Sequence, residues 1–593
     1  MNTKLKIVIP ALIAAITLLG SGCAKKLEEH PYTTFTPSFF KSPSGLQSAV
    51  NTLYSGMRFS YGPEPALAIT VMGTDEFTGA DQVTASTGGQ YVRSFALYGG
   101  STPISPSDGS LLNQWNTSFS FINLANAVVG DAPGVAMDTV AKTTLVAEAR
   151  FLRGLYYLLM VEQFGAVPTD LGSGDLVFNQ NAYQGFNRLP TADVLVKDYN
   201  AIIGDFIFAS QNLPLTRPTN AFKLSRAAAY CMLARAYIFR AYSTAQQGND
   251  FQNGYAAAME VINNQSKYGV SLLQDFGQVM AQGNDYNSEI LYSVERLPND
   301  LNDNEVPIST NTAGAGNNAS VDFAPNYTAV TNVKAPGVGR EAIYGRPYRR
   351  FSPTTWLFNT AFADKFNDSR FDNSFRMVWF TNAGNGGTIN YGDTAFLLAK
   401  TQAIADSMNA IPKKFPVIPP AKFWTLQNND PQDVYPYLSK FADSLKGNFN
   451  DVVSGRPFVV AKLSEVYLLA AEAAMQTSNT TGAATLINVL RTRAAYRPGL
   501  TSTDLANRVA ANQVSSGQMT LDFILDERTR ELCGESCRWP DLAMRGKLVS
   551  RVQAFNPDAG PNIKAFHVLR PIPQSELDAL IVPNSSIYQN PGY

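Results

Sequence analysis

Glu527, Glu531 and Glu535 recur at every fourth residue, with Arg528, Arg530 and Arg538 set among them. Two carboxyl groups about 5–10 Å apart across a cleft suffice to hydrolyse a glycosidic bond. Here every acid has a guanidinium within helical reach, the pattern of ion pairs that fix helix packing. Asp364, Asp368 and Asp372 are also spaced by four, whereas a calcium loop takes ligands from alternate positions, so they read as a salt-bridged or solvated face. Asp75 and Glu76 lie in a loop-like stretch and suit a sugar hydroxyl, a cation or water. With only His30 and His567 in the chain, a Ser-His-Asp or Cys-His arrangement has almost no material. No Gly-x-Ser-x-Gly elbow or phosphate-binding loop occurs. Gly314-Ala-Gly316-Asn-Asn-Ala319 mimics a dinucleotide fingerprint but lacks the flanking strand and helix that would make it one. Three thiols beyond the N-terminus do not make a metal site. Cys231 reads as a buried apolar thiol, while Cys533 and Cys537 flank Gly534 and Ser536, where a turn could bring two sulfurs together. No catalytic residue, cofactor or metal is expected, and the chain is not expected to be an enzyme.

Binding is the better-supported chemistry. Charged residues are 16% of the 593-residue chain, against a typical ~25%. The net charge is −1 and no Lys/Arg cluster follows a helix face, which argues against nucleic acid. A polar, weakly charged surface with 26 tyrosines suits hydroxyl-rich, uncharged ligands. Sugars present C–H faces that stack on aromatic rings, while Asn, Asp and Arg take the hydroxyls. Tyr91, Tyr98, Tyr286, Tyr344, Tyr348 and Trp356 lie in or beside Gly-, Asn- and Pro-rich stretches, with Asp75 and Arg93 nearby. These eight residues are the expected ligand site, spread over loops at 61–106 and 284–356. Packing of any one ring onto the helices competes with that role.

The elements that must carry those loops are helical. Residues 147–168 place Ala147, Phe151, Leu155 and Leu158 on one face, with Ala149 and Gly154 letting a neighbour approach closely. Gly165 can supply a positive φ at the end, and Pro168 prevents resumption. Further helices are expected over 44–59 with Ser44 as N-cap, 111–129, 193–212, after Ser225, and 256–262. Small and large residues alternate at the crossings, a helical repeat-like pattern. Helix signals thin out from about 281 to 455, where Asn, Gly and Pro dominate 299–345 and 382–393. The last third returns to helices over 456–474, 482–494 and 521–548. The expected class is mainly α, with tetratricopeptide-like hairpins as scaffold and long irregular loops. It has a helical part over 41–280, a loop-rich middle over 281–455 and a helical end over 456–593.

The N-terminus carries its own signal. Lys4 and Lys6 precede an apolar run from Ile7 to Leu19, too short to span a bilayer, and small residues 20–22 precede Cys23. Residues 1–22 are expected to be a signal peptide, Cys23 the lipidated residue, and 23–40 a tether.

Several stretches resemble one family. Ala147-Glu-Ala-Arg-Phe-Leu-Arg-Gly-Leu-Tyr-Tyr157 followed by Phe164-Gly-Ala-Val-Pro168 is similar to the best-recognised helix of SusD/RagB-like proteins, outer-membrane lipoproteins of Bacteroidetes. Cys23 after small residues resembles their lipobox, although Gly20 stands where a Leu is usual. Asn123-Leu-Ala-Asn126, Pro353-Thr-Thr-Trp-Leu357 with Asp368-Ser-Arg370, Leu463-Ser-Glu-Val-Tyr-Leu468, Glu527-Arg-Thr-Arg-Glu-Leu532 and Arg538-Trp-Pro-Asp-Leu542 follow in the family's order. Arg570-Pro-Ile-Pro573 and Gln589-Asn-Pro-Gly-Tyr593 resemble its ending. Cys533, Ser536, Cys537 and Pro540 depart from the pattern and put the local turn there in question. The resemblance implies a monomeric lid on a SusC-like TonB-dependent transporter, held in the outer membrane by a lipid anchor and facing the cell surface. That lid would capture an oligomeric nutrient, most often a glycan. A RagB-like peptide ligand, a surface hydrolase and a purely structural lid are the alternatives.

Overall fold

The computed structural model describes residues 37–81, 90–99, 103–172, 192–218, 222–296, 316–330, 337–382, 390–424, 434–579 and 585–593. The expected signal peptide, Cys23 and most of the tether lie outside them. α1 (Pro43–Gly56) starts two residues earlier than the sequence suggests, because Ser42 rather than Ser44 accepts from the Gly45 amide at 3.1 Å and Pro43 fills the first turn. The 61–106 stretch is more regular than its composition indicates. It holds α2 (Glu64–Val71), β1 (Phe77–Gly79) and α3 (Gln90–Leu97). α2 is buried on every side, so no polar face marks its period.

α4 (Gly109–Asp131), α5 (Thr139–Phe164), α6 (Ala192–Asn212), α7 (Arg226–Tyr242) and α8 (Asp250–Asn263) each pack on the next. α9 (Leu463–Gln476) then packs on α8, and α10 (Thr480–Ala494) on α9, so the array resumes where it stopped although the middle of the chain intervenes. These antiparallel pairs are the tetratricopeptide-like scaffold. Gly165 ends α5 with φ +73°. Inside the α5–α6 crossing, Asp205 takes both Arg150 and Arg153 at 2.7 Å. α11 (Ser502–Asn512), α12 (Leu521–Leu532), α13 (Arg538–Met544) and α14 (Leu548–Phe555) complete the set. Among the described residues no helix is long and apolar enough to cross a membrane.

The middle of the chain contributes short strands: β2 (Ile290–Val294), β3 (Phe351–Pro353), β4 (Phe375–Arg376), β5 (Val378–Phe380), β6 (Thr394–Leu398), β7 (Val417–Ile418), β8 (Tyr437–Leu438) and β9 (Phe458–Lys462). β1 pairs with β3, β2 with β9 and β4 with β8, all antiparallel, while β5, β6 and β7 form a three-stranded sheet. The 456–474 stretch is therefore strand and then helix, not one helix. Its Phe-Val-Val-Ala run is continuously apolar, a pattern that does not separate the two states. The 521–548 stretch is likewise broken, because Gly534 and Ser536 adopt φ +73° and +56° between α12 and α13. Cys533 and Cys537 are separate thiols there.

The acidic rows behave as ion-pair partners. Glu527 takes Arg370, Arg491 and Arg530, Glu531 takes Arg370 and Arg493, and Glu535 takes Lys440 and Lys462. Asp368 pairs with Arg370, and Asp372 with Arg497 and Lys400, but from loops and one short helical turn rather than along one helix face.

The α5–α6 crossing gives a direct test. A Cβ on Gly154 would lie 3.2 Å from Asp205 Cβ and from Phe206 Cε1. Alanine there gains about 1 kcal/mol of helix propensity, which offsets most of the crowding. Gly154→Val adds two branched methyls with nowhere to go, and should cost about 1–3 kcal/mol. Urea unfolding checks this, and a valine variant as stable as the parent contradicts the close crossing.

Candidate functional site

The structure divides the eight expected ligand residues. Asp75 is fully buried in the turn between α2 and β1. Its carboxylate receives Arg538 at 2.6 Å and Arg551 at 2.6 Å. Burial raises its pKa, but the two guanidiniums outweigh burial and hold the group below the ordinary carboxylate value. Glu76 beside it has less compensation, and burial lifts it to about 7. Tyr98 is buried, accepting from Trp539 Nε1 at 3.1 Å, and Trp356 is buried against Phe555 at 5.0 Å with Arg551 over its ring. Tyr344 is buried too. Its hydroxyl receives the Phe380 amide at 3.0 Å and donates to the Phe380 carbonyl at 3.2 Å. These four are held inside, where ring packing and ion pairing occupy the surfaces a ligand would use. The alternation of Tyr and Asp with Gly and Asn does not distinguish an exposed loop from one folded against helices.

The remaining four are placed differently. Tyr286 is half-buried and its carbonyl accepts from Arg217 at 2.6 Å. Arg93 is half-buried on α3. Tyr91 is on the same helix, and its side chain lies outside the described residues. Tyr348 is half-buried, with the guanidiniums of Arg346 and Arg350 at 5.2 and 5.4 Å from its ring centroid. Of the eight, Asp75 and Trp356 share Arg538 and Arg551 in the interior, and Tyr344 and Tyr348 belong to one assembly nearer the surface.

That assembly is built from 337–350, from 380–382 with 390–393, and from 444–451. The buried Tyr344 ties the first to the end of β5 through the two bonds to Phe380, with Arg376 stacked on its ring at 4.9 Å. Asn382 repeats the link, accepting from the Gly339 amide at 2.7 Å and donating to Glu341 at 2.7 Å. Arg340 donates to Asn450 Oδ1 at 3.1 Å and Arg346 to the Asn450 carbonyl at 3.2 Å, which brings in the third segment. Gly392 donates to Thr381 and Thr381 to Asp393, closing the β5–β6 hairpin stem beside Tyr391. The outer surface carries apolar groups that nothing among the described residues covers. Tyr391 is 77% exposed, Phe449 47%, Phe380 44% and Ile343 42%. Large exposed apolar groups gathered in one place mark binding surfaces. Here they alternate with Arg340, Arg346, Asn382, Asn390 and Asn450, which offer donors and acceptors.

Beneath this surface lies an acid in an unusual state. Both oxygens of Asp322 are buried without a hydrogen-bond partner. Burial and the neighbouring Glu64 raise its pKa well above the usual range, against the pull of Arg350 and Lys446. Lys446, donating to Ser320 Oγ at 2.7 Å, is lowered by burial to about 8. Asp322 does not reach the surface, and Lys446 is half-buried. The carboxylates that do are occupied by their own loops: Asp393 caps the Asn390 amide and Asp451 the Asn448 amide. Among the described residues no cluster of His, Cys, Asp and Glu could hold a metal.

Phe380, Tyr391 and Phe449 were missed in the sequence. Tyr391 and Phe449 had a signal: each is a lone aromatic in an Asn/Gly setting, Asn390-Tyr-Gly392 and Asn448-Phe-Asn450, where no core element can form.

A stack of helical hairpins bearing a loop-built face of exposed rings, amides and guanidiniums defines a repeat-scaffold binding protein. Residues 308–593 match the SusD family, and residues 27–238 match a SusD-like group described as starch-binding and associating with the outer membrane. The chain belongs to the SusD/RagB family. A SusD-like protein of Formosa agariphila is 24% identical over 598 residues, covering 99% of each chain. A second from the same organism is 26% identical over 606 residues, again 99% of each. Among solved structures, a laminarin-binding SusD-like protein superposes with TM-score 0.64 at 21% identity, over 93% of this chain and 100% of the other. A surface glycan-binding protein A of Bacteroides thetaiotaomicron, in complex with laminarihexaose, gives 0.63 at 19%, over 93% and 99%. At these identities the likeness establishes the fold.

Asp75 yields the test of its placement. Asp75→Ala would leave Arg538 and Arg551 buried without their anion, which should cost about 3–5 kcal/mol. A melting temperature equal to the parent's would return Asp75 to the list of ligand residues.

Proposed function

We propose that this chain is a cell-surface binding lipoprotein that captures an oligosaccharide on the face built by 337–350, 380–382, 390–393 and 444–451, without cleaving it. It then passes the sugar to a SusC-like TonB-dependent transporter in the same outer membrane. The observation that carries this reading is the group of exposed rings, Tyr391, Phe380 and Phe449, set among arginines and amides on a rigid helical scaffold. Flat apolar faces flanked by donors and acceptors match the alternating C–H faces and hydroxyls of a glycan. Several modest contacts spread over three loops give multi-point capture with ready release, as a carrier requires. The laminarin-binding relative and the laminarihexaose complex support a neutral glycan as the ligand class. The outer-membrane association named for the group matching residues 27–238 supports the location, and Cys23 after small residues supports a lipid anchor. Surface carboxylates already committed to loop amides support binding rather than hydrolysis.

Calorimetry against a panel of neutral oligosaccharides and peptides, with product analysis after long incubation, tests the site and the ligand class. Tyr391→Ala and Phe380→Ala should each weaken glycan binding about fivefold, the equivalent of about 1 kcal/mol per stacked ring, with the melting temperature unchanged. Tyr344→Ala should instead lower the melting temperature, since its hydroxyl holds two segments together. Unchanged affinity in the double variant overturns the site, binding of peptides alone overturns the ligand class, and shortened glycan overturns the non-enzymatic reading.

The anchor is tested separately. Cys23→Ala should move the protein from the outer-membrane fraction to the soluble one when the transporter is absent. Retention of the variant in that membrane contradicts lipidation at Cys23.

A further inference from the structure

A second recess lies apart from the 337–451 face. A cleft of about 450 Å³ opens between α1, the 222–223 segment and β2. One wall is a polar stripe along α1 and the turn after it, where Gln47, Asn51, Ser55 and Arg58 follow at spacings of four, four and three and so share one side. Gln47 donates to Asn51 Oδ1 at 3.0 Å, which presents both amides in a fixed orientation. The opposite wall is β2, which pairs with β9 on one side only. Arg58 Nε donates to the Glu295 carbonyl at 3.0 Å and spans the two walls at one end. Tyr54 and Phe222 meet edge to face at 6.0 Å and supply aromatic surface, with Lys223 Nζ 4.4 Å above the Tyr54 ring.

Two features identify what such a cleft would take. Gln47 and Asn51 are exposed and, with Ser55, bring two amides and a hydroxyl to one wall of the cleft. A side-chain amide offers a donor and an acceptor together, the pair that a sugar hydroxyl uses. The charges balance: Arg58 and Lys223 are cationic, Glu295 is anionic, and Glu148 stands behind Lys223 at 3.3 Å. With two cations against two anions, the cleft has no preference for a charged ligand. Neutral, hydroxyl-rich and ring-shaped describes a sugar, and the volume lies in the range of small-molecule sites, enough for one or two rings.

We infer that this cleft is a second saccharide-binding site, taking one or two rings of a neutral sugar. Its walls come from α1, 222–223 and β2, none of which contributes to the 337–451 face, so the inference stands whether or not that face binds glycan. The Gln47 and Asn51 amides would take hydroxyls of the bound ring and fix its orientation, and Phe222 would support its apolar face.

The test uses crystals of the intact protein soaked with glucose, galactose, mannose, xylose and their disaccharides, together with calorimetry of the same sugars. A ring resolved between α1 and β2 is the expected result. Asn51 is exposed, so Asn51→Trp fills the mouth of the cleft without entering the core and should abolish that density and weaken cleft binding at least tenfold. Phe222→Ala should weaken it severalfold. Tyr391→Ala and Phe380→Ala should leave cleft binding unchanged, which separates this inference from the proposed surface site. Water alone in the cleft of wild-type crystals with every sugar, or an isotherm for Asn51→Trp identical to the parent's, overturns it.

Discussion

Buried charge pairing is the constraint on which the rest of this molecule depends. Glu465 on α9 receives Arg235 of α7 and Arg528 of α12, while Asp541 receives Arg528 and Arg545, and Arg545 also holds Glu472 on α9. Asp75 near the start of the chain takes Arg538 and Arg551 near its end. A buried ion is costly to desolvate, and an unpaired one is far more so. Such a network therefore adds little net stability over well-packed apolar residues while penalising any arrangement that separates its members. It selects one packing of many otherwise similar helices. It also leaves the surface with still fewer charges than the composition alone would give, since much of what is present is held inside.

The helical array was legible in the sequence because its determinants are local. Periodic apolar residues, Gly154 at a crossing, Gly165 at an end and the spacing of the central helices all repeat within a few turns, and α4 to α8 formed close to where that periodicity put them. α2 and β9 were not legible, for one shared reason: both are apolar on all sides, and an all-round buried segment has no second face from which to read a period. The candidate site was less legible again. Asp75, Tyr98, Tyr344 and Trp356 have the right chemistry for a sugar and sit in the right kind of sequence, yet each is held inside by partners far away in the chain. The partners of Asp75 are more than four hundred residues distant. Burial of a loop is decided by such contacts, and no local pattern reports it. Tyr391 and Phe449 were readable in principle, because an aromatic hemmed in by Asn and Gly has no core element to join.

The outward face and the inner cleft rest on the same support in different ways. Tyr344 is the internal post of the first, its hydroxyl joining 337–350 to the end of β5 while the neighbouring rings remain outside. Tyr54 does the same beside the second, donating to Glu148 at 2.9 Å and receiving the Leu224 amide at 3.2 Å. In both, a tyrosine serves as frame and a different aromatic stays available, which divides rigidity from contact between neighbouring residues.

The pairing of β2 with β9 has a consequence for how such a chain can diversify. It brings Val294 beside Phe458, so the long middle segment leaves the array and returns to it at one neck, while α8 and α9 pack together as though nothing stood between them. Further tethers hold that segment down, among them the β1–β3 ladder, Arg370 between Glu527 and Glu531, Lys440 on Glu535, Arg497 on Asp372 and Trp356 on Phe555. Between these fixed points the face-forming stretches touch the array little. The outer loops of the middle segment lie between these fixed points, while its buried parts belong to the same core and charge network as the helices. On the proposed function, substitutions in those outer loops would redraw what the molecule recognises while the buried ion pairs stay in place, and a new preference could arise without a new fold.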